Sequence, residues 1–457
     1  MPGNPKKPTS AFWTILAVFV ITLLAFTALQ YVTPDTAQSV YGLNQEGMHI
    51  FQQQFFGHQI RGMDLRTYTF SFRLLLSILW MSYAGLVILA LRGGAGKAKT
   101  VVIVMVVMSV LLAILWPASL SFDPFTYIAY ARIGVVHGQN PYACKPDYLS
   151  LVKDPSAQFA PWNQRTPWGP VWVLVCMLIV KVMHNAGLVW QVIAVKLLGA
   201  GALVGAAFAG KSISRHFSSD AGDVALLAIG LNPLFLVEGP GSGHNDLPMM
   251  GLLLVGISFF LKKRYFAASL LFGLSIGIKY ITVLILPWAI MECCRGRPLR
   301  QKVWFSTAMV SLSAIPTVLC FLPFRHGSSA FAGLYERWLW STYLPGGKST
   351  NPSDWVQQAA THGSIVRALG LQFVLIPLFA CLVFWVRERK APNRWLTAWV
   401  LFSLSLILLV TGIWFPWYFM WPCAVSLACW DRLHIRLSAM CFAITFLLSM
   451  VYTVAPH

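Results

Sequence analysis

The most informative absence in this 457-residue chain is charge. Only 11% of its residues are Asp, Glu, Lys or Arg, whereas soluble domains carry roughly 25%. Hydrophobic residues make up 57% of the chain, and its mean hydropathy is +0.66. A soluble domain is excluded, because so little polar surface could not cover a core of this size in water.

The sequence also lacks a cysteine framework. Most of its nine cysteines lie inside apolar runs, at positions Cys176, Cys320, Cys381, Cys423 and Cys441. Cys144 lies in a predicted outer loop and has no evident partner there. Neither disulfide spacing nor the Cys/His spacing of a zinc site is present. Internal repeats and low-complexity linkers are absent as well, which predicts one domain over residues 1–457.

Acidic residues are scarce, at 15 against 34 lysines and arginines, giving a net charge of +19. The cations form short clusters between apolar runs, and no arginine-rich arm is present. We therefore expect a lipid bilayer with anionic headgroups as partner, and no nucleic acid. The clusters contain Lys6/Lys7, Arg92/Lys97/Lys99, Lys211/Arg215, Lys262/Lys263/Arg264, Arg295/Arg297/Arg300 and Arg387/Arg389/Lys390.

Long apolar runs are abundant instead, many near the 20 residues that cross about 30 Å of hydrocarbon. They predict an all-α polytopic membrane protein with about 13 transmembrane helices. The candidate spans are 11–32, 68–91, 100–120, 188–210, 222–238, 247–261, 265–277, 280–293, 303–324, 364–386, 394–411, 414–430 and 436–453.

Topology follows from placing the cationic clusters in the cytoplasm. The N-terminus is then inside, the run from Ala11 is a retained signal anchor, and Asp123 is outside. The apolar segment 170–183 would reverse the later loops if it crossed, and it is short for a span. We expect an interfacial or re-entrant helix there, within an outer loop at 121–187, and a second outer loop at 325–362.

The short pair 265–277 and 280–293 has cations on both sides. This pattern favours a helical hairpin with Lys279 near its outer tip, where a lysine needs a partner or a cavity. One long tilted helix with a snorkelling Lys279 is the alternative.

The segment "SFDPFTYIAYARIGVVHGQNPY" (121–142) follows the third predicted span. Asp123 before Pro124 suits a helix N-cap and first position. On that helix Asp123, Tyr127, Tyr130 and Gly134 would share one face. Asp123 is thus either a structural cap or a general base at the mouth of a cavity.

The turn "NPLFLVEGPGSGHND" (232–246) gathers Glu238, His244, Asn245 and Asp246 beside several glycines. Asn245 or Asp246 could cap the next helix, yet one cap needs only one such residue. Donors and acceptors together suit sugar hydroxyls. Lys279 could bind a phosphate group. The arginines could bind either a substrate phosphate or lipid headgroups; they are Arg132, Arg325 and Arg337. Trp417 and Tyr418 suit an aromatic belt or a stacked sugar.

These motifs, with "TPWGPVW" (166–172), "GIKYITVLILP" (277–287) and "PWYFMWP" (416–422), occur in the order of a known family. Over residues 115–425 the chain resembles GT-C fold glycosyltransferases that use polyprenyl-phosphate sugars. The greatest similarity is to bacterial polyprenol-phosphomannose-dependent α-1,6-mannosyltransferases. The resemblance implies a GT-C-like bundle, with juxtamembrane helices in the first outer loop.

The resemblance further implies inverting transfer of a hexose, expected to be mannose, to a glycan or glycolipid outside the cytoplasmic membrane. It makes Asp123 the catalytic base and Lys279 a stabiliser of the departing phosphate, without a metal or other cofactor. The expected substrate-binding residues are Tyr127, Arg132, Asn140, Tyr142, His244, Asn245, Asp246, Lys279, Trp417 and Tyr418. Many spans and a broken helix pair also fit a transporter or flippase of lipid-linked sugars; a structural subunit is a third possibility.

Overall fold

The computed structural model describes most of the chain. The described residues are 8–35, 44–93, 99–160, 164–218, 221–324, 393–409, 415–430 and 432–452, with the single residues 333 and 382. The predicted span 364–386, the second outer loop at 325–362, Arg325 and Arg337 therefore lie outside the described residues, apart from those two isolated positions.

Helices dominate the described residues. The α-helices are Ser10–Gln30 (α1), Gln45–Phe56 (α2), Leu65–Leu91 (α3), Lys99–Leu115 (α4), Asp123–Val135 (α5), Asp147–Leu151 (α6), Pro170–Val182 (α7), Leu188–Phe217 (α8), Gly222–Gly230 (α9), Pro233–Leu236 (α10), Asp246–Leu261 (α11), Tyr265–Ile278 (α12), Ile285–Cys293 (α13), Leu299–Phe321 (α14), Arg394–Leu409 (α15), Met420–Cys429 (α16) and Arg432–Tyr452 (α17). Short 3₁₀ segments are Ala157–Phe159, Tyr280–Leu284, Leu322–Phe324 and Pro416–Phe419, and Val237–Gly241 is a π-helical turn.

Among the described residues, four helices are long and apolar enough to cross a membrane: α1, α3, α8 and the unit Leu299–Phe324. A fifth is possible if the bent pair formed by α9 and residues 233–241 is one span. Apolar side chains such as Ile21, Phe70 and Met81 are exposed on α1 and α3, as expected of helices that face lipid. The chain thus has the character of a membrane protein, while about 13 crossings would need the shorter apolar helices too.

The predicted span 222–238 is not one straight helix. α9 and the segment Pro233–Gly241 meet at an angle of 46°. The Asn232 side chain accepts a hydrogen bond from the Leu234 amide at 3.0 Å and so caps a new helix there. Because Pro233 lacks an amide hydrogen, the first helix cannot continue through it. The bend sends residues 237–246 towards α5.

A hairpin over residues 265–293 is the arrangement in the structure. Lys279 ends α12 in an extended conformation, and the 3₁₀ turn and α13 follow it. The Arg297 guanidinium, just past α13, lies 5.6 Å from the ring of Tyr265 at the start of α12. One continuous helix over 265–293 would separate its ends by about 43 Å. The single tilted helix is therefore excluded, and Lys279 lies at the tip.

Helix α7, the predicted interfacial segment, packs on both α5 and α12. The Gly169 amide donates to the Ile278 carbonyl at 3.0 Å. A Cβ on Gly169 would lie 2.2 Å from the Gly277 carbonyl oxygen, so only glycine fits this contact. The "TPWGPVW" motif thereby joins the first outer loop to the backbone that precedes Lys279.

One element was missed by the all-α prediction. Residues Thr33–Asp35 (β1) and Arg61–Asp64 (β2) form a two-stranded parallel sheet, with α2 between them in sequence. The Gln52 amide donates to the Tyr31 carbonyl at 2.6 Å and to the Thr33 hydroxyl at 2.9 Å. The segment after the first long helix is therefore folded against that helix.

Candidate active site

Asp123 occupies the first turn of α5 rather than its N-cap. The cap residue is Phe122, and no side chain caps this helix. The Asp123 carboxylate instead accepts a hydrogen bond from the Tyr127 hydroxyl at 3.0 Å. The N-cap interpretation of Asp123 is therefore wrong, while the prediction that Tyr127 lies on the same helix face one turn along is confirmed. The Asp123 side chain is 26% exposed, so part of it can meet a substrate.

The glycine-rich turn brings His244 to Asp123. Gly243 has a φ of +76°, a left-handed conformation that glycine adopts without strain. A Cβ on Gly243 would lie 3.0 Å from the Cβ of Pro124. This close approach places the Nδ1 atom of His244 3.0 Å from Oδ2 of Asp123.

His244 lies between two carboxylates. Its Nε2 is 3.3 Å from Oε2 of Glu238, and the imidazole is fully buried. Burial alone would lower the pKa of His244, but the hydrogen bonds and charges of Asp123 and Glu238 outweigh it and raise the pKa to about 9. The ring is therefore an imidazolium at neutral pH.

The backbone of Asn245 contacts Tyr127, the residue that also donates to Asp123. Its amide donates to the Tyr127 hydroxyl at 3.2 Å. Asn245 is the N-cap residue of α11, yet its side chain makes no capping bond. Both polar atoms of that side chain are buried without a hydrogen-bond partner among the described residues. A buried amide left unpaired is unfavourable. Because the Asn245 side chain is fully buried, a contact with a substrate hydroxyl requires the site to open, and this contact stays a prediction.

Lys279 and Asp246 form the second half of the site. The Lys279 Nζ lies 2.8 Å and 2.9 Å from the two carboxylate oxygens of Asp246. Asp246 also accepts a hydrogen bond from the Trp421 indole at 2.6 Å. The ammonium lies 4.9 Å from the centre of the Tyr418 ring, which adds a cation–π contact. The carboxylate is buried, whereas 22% of the lysine side chain is exposed and can meet an anion.

Trp417 forms the wall beside His244. Its indole stacks on His244 at 4.0 Å and on Phe415 at 4.4 Å, with interplanar angles of 20° and 9°. Two rings this close to one indole cannot share a face, so both faces of Trp417 are covered. A sugar cannot stack on Trp417 in this arrangement, and that part of the sequence interpretation is corrected. Tyr418 is half-buried beside Lys279 and remains the aromatic contact predicted for a substrate.

Three predicted site residues of the first outer loop make hydrogen bonds that involve neither Asp123 nor Lys279. Arg132 pairs with Asp154 at 2.9 Å, and His137 also contacts that carboxylate. Burial raises the pKa of Asp154, but hydrogen bonds from Arg132, Ser156 and His137 outweigh it and lower the pKa. This ion pair, rather than a bound phosphate, accounts for Arg132 in the structure.

Asn140 and Tyr142 likewise contact other segments of the chain. The Asn140 amide donates to the Phe324 carbonyl at 3.4 Å, and the Tyr142 hydroxyl donates to the Trp168 carbonyl at 2.9 Å. Both contacts hold the loop onto neighbouring elements. A substrate-binding role for these two residues stays a prediction.

Two residues join the site that were not among the expected catalytic and substrate-binding residues. Glu238 stands in the quoted turn, and Trp421 stands four residues after Trp417 in "PWYFMWP". The density of polar residues around the glycines is a signal for Glu238. The one-turn spacing between Trp417 and Trp421 is a weaker signal, since aromatic residues are common at membrane interfaces.

The match to known proteins fits this geometry. The sequence model of the family described as "Alpha-(1->6)-mannopyranosyltransferase, N-terminal domain" matches residues 11–295. The chain belongs to this family. The matched region contains Asp123, His244 and Lys279, whereas Tyr418 and Trp421 lie beyond it.

Two curated relatives carry the name alpha-(1->6)-mannopyranosyltransferase A. The protein from Mycobacterium tuberculosis is 26% identical over 326 residues, covering 67% of this chain and 61% of the relative. The protein from Corynebacterium glutamicum is 24% identical over 332 residues, covering 65% and 61% respectively. The chain thus spans about three fifths of the length of these relatives.

The arrangement combines three chemical capacities. Asp123 is a partly exposed carboxylate that can accept a proton. Lys279 is a partly exposed cation that can meet a phosphate. The side-chain amide of Asn245 offers both a hydrogen-bond donor and an acceptor. All three converge on the turn 244–246, because Asp123 contacts His244 and Lys279 contacts Asp246.

Proposed function

We propose that this chain is an integral-membrane glycosyltransferase that moves mannose from a polyprenyl-phosphate donor to a hydroxyl group of a glycan or glycolipid. The observation that carries the proposal is the convergence of Asp123 and Lys279 on residues 244–246. A proton acceptor and a phosphate-binding cation beside one turn are what displacement of a sugar phosphate requires. Family membership and the names of the two relatives support mannose as the sugar.

In the proposed reaction Asp123 accepts the proton of the acceptor hydroxyl as its oxygen attacks the anomeric carbon of mannose. The bond from that carbon to the phosphate oxygen breaks, and the polyprenyl phosphate departs with the bonding electron pair. Attack from the side opposite the leaving group inverts the anomeric centre. One displacement thus uses a single carboxylate as base and needs no covalent intermediate.

Lys279 compensates the charge that builds up on the departing phosphate. Asp246 and the Trp421 indole hold the ammonium at the hairpin tip before the donor arrives. The partly exposed side of Lys279 is then the side that meets the phosphate. Asn245, whose buried amide has no partner among the described residues, pairs with the sugar hydroxyls once donor binding has uncovered it.

We further propose a GT-C-like bundle in the cytoplasmic membrane, with about 13 crossings, an internal N-terminus and the site on the outer face. The hairpin supports this topology, because its cationic ends meet at one side while Lys279 lies at the other. The positive-inside rule then makes the Arg297 side cytoplasmic. A polyprenyl chain in the bilayer would present its phosphate near the tip.

The proposal is tested by incubating the purified chain in lipid nanodiscs with a glycolipid acceptor and, in turn, mannosyl, glucosyl or arabinosyl polyprenyl phosphate, and analysing the products by mass. We expect a mannosylated acceptor and free polyprenyl phosphate, unaffected by EDTA. Asp123→Asn should give no product, while Asp147→Asn in the same outer loop serves as the control. Movement of lipid-linked sugar across liposomes without any product would instead favour a flippase.

A further inference from the structure

Glu238 lies on the far side of His244 from Asp123. Its Oε2 is 3.3 Å from Nε2 of His244, and Asp123 Oδ2 is 3.0 Å from Nδ1. The Glu238 side chain is 8% exposed, compared with 26% for Asp123. Glu238 is therefore shielded from a substrate that reaches Asp123, and any effect it has on Asp123 passes through the imidazole.

Both imidazole nitrogens face carboxylate oxygens. A neutral imidazole has one N–H and one lone pair, so it would direct the lone pair at one of the two carboxylates. Nδ1 is in hydrogen-bonding contact with Asp123, whereas the 3.3 Å contact of Nε2 with Glu238 is an ion pair without hydrogen-bond geometry. The imidazolium is the form in which the ring attracts both carboxylates. The Trp417 indole, stacked on the ring at 4.0 Å, also favours the cation.

The charged groups on the neighbouring elements are consistent with a positively charged His244. The buried Lys196 on α8 packs beside Gly243, and its Nζ donates to the Trp116 carbonyl. The ammonium of Lys279, at the tip of the hairpin, is paired with Asp246. Tyr127 on α5 is neutral and donates to Asp123. Asp123 and Glu238 are the two carboxylates recorded in ion-pair contact with the ring among the described residues.

We infer that Glu238 is a positioning residue that keeps His244 an imidazolium, with its Nδ1–H directed at Asp123, and so holds the carboxylate of the base in one orientation. The inference rests on the proposed role of Asp123 as base. No proton passes through His244, because both of its nitrogens already carry one. The proton of the acceptor hydroxyl stays on Asp123 until the product has left.

The pH dependence follows from the sign of the His244 shift. Its pKa is raised to about 9, so the imidazolium persists at neutral pH and is lost as pH rises through that value. Transfer should therefore decline at alkaline pH near 9. Removing the charge of Glu238 lowers the pKa of His244, since an opposite charge at this distance contributes about one to three units. The alkaline decline should then move to lower pH.

The test compares the wild type, Glu238→Gln and the exposed control Glu46→Gln in nanodiscs. NMR of labelled histidine, without substrate, follows the titration of His244, and initial rates with mannosyl polyprenyl phosphate follow transfer between pH 5 and 10. We expect both midpoints to fall together by about one unit or more in Glu238→Gln. The control should keep the wild-type values.

Two outcomes overturn the inference. A slower Glu238→Gln enzyme with unchanged midpoints would show that Glu238 only supports the fold. A wild-type His244 that titrates at or below its ordinary value would show that no imidazolium is held. Failure of the proposed function has a different signature, because the wild type would then give no product at any pH while the NMR titration is still measured.

Discussion

The ammonium of Lys279 and the carboxylate of Asp246 lie 2.8 Å apart, although 33 residues and two helices separate them in the chain. Asp246 begins α11, and Lys279 ends α12. Because α11 and α12 pack against each other, the start of one helix and the end of the other meet at the same edge of the bundle. This ion pair joins the glycine-rich turn to the hairpin tip.

Replacing Lys279 with Met should weaken donor binding and destabilise the fold. The change leaves the buried Asp246 carboxylate without its cation, which costs about 3 kcal/mol. The double variant Lys279→Met with Asp246→Asn should recover most of the thermal stability but not donor affinity. Unfolding temperatures and binding of a fluorescent polyprenyl phosphate measure the two effects. Wild-type affinity in the stable double variant would remove Lys279 from the phosphate site.

Trp421→Phe should lower stability by about 2 kcal/mol, because it keeps the aromatic packing and removes the hydrogen bond to the buried Asp246 carboxylate. The exposed Trp304→Phe is the matched control and should change little. Thermal unfolding of both variants in the same detergent measures the difference. Equal unfolding temperatures would indicate that the indole bond contributes nothing.

Gly169→Ala should disturb the contact between α7 and the hairpin. The new methyl group would meet the Gly277 carbonyl at 2.2 Å, and overpacking of this kind costs about 1–3 kcal/mol. Gly187→Ala is the control, because no atom lies within 4 Å of its added methyl group. Unfolding temperature and donor affinity should both fall for Gly169→Ala alone. A fall in neither would show that the two backbones separate easily.

Asn245→Ala should reduce transfer much more than stability. Its side-chain amide has no partner among the described residues, so its removal breaks no hydrogen bond recorded for the described part of the fold. Loss of a hydrogen bond to a sugar hydroxyl should lower kcat/KM about 10- to 100-fold. Steady-state rates and unfolding temperatures of the same preparation measure both. A large loss of stability with unchanged kcat/KM would assign Asn245 to the fold.

The positions of the long helices, and the identities of most of the site residues, could be predicted from the sequence. The apolar runs and cationic clusters predicted the hairpin at 265–293, because charge placement reports topology directly. The polar residues around Gly243 predicted a cluster at one edge. Helix periodicity predicted that Tyr127 lies one turn along from Asp123.

Contacts between distant segments could not be predicted in the same way. The bend at Asn232 sets the direction of the glycine-rich turn that follows. The bend depends on the Asn232 side-chain cap, whereas the uninterrupted apolar run in the sequence favours one straight helix. Arg132 resembles a phosphate ligand until Asp154, 22 residues later, is seen to pair with it. The faces of Trp417 are covered by one residue near in sequence, Phe415, and one far away, His244.

The central claim is that Asp123 is the base, and one measurement tests it most directly. Transfer from mannosyl polyprenyl phosphate should be compared for wild type, Asp123→Asn and Asp147→Asn, alongside donor binding and unfolding temperature. We predict that Asp123→Asn binds donor and stays folded but forms no product, while Asp147→Asn behaves as wild type. Product formation by Asp123→Asn at the wild-type rate would contradict the account.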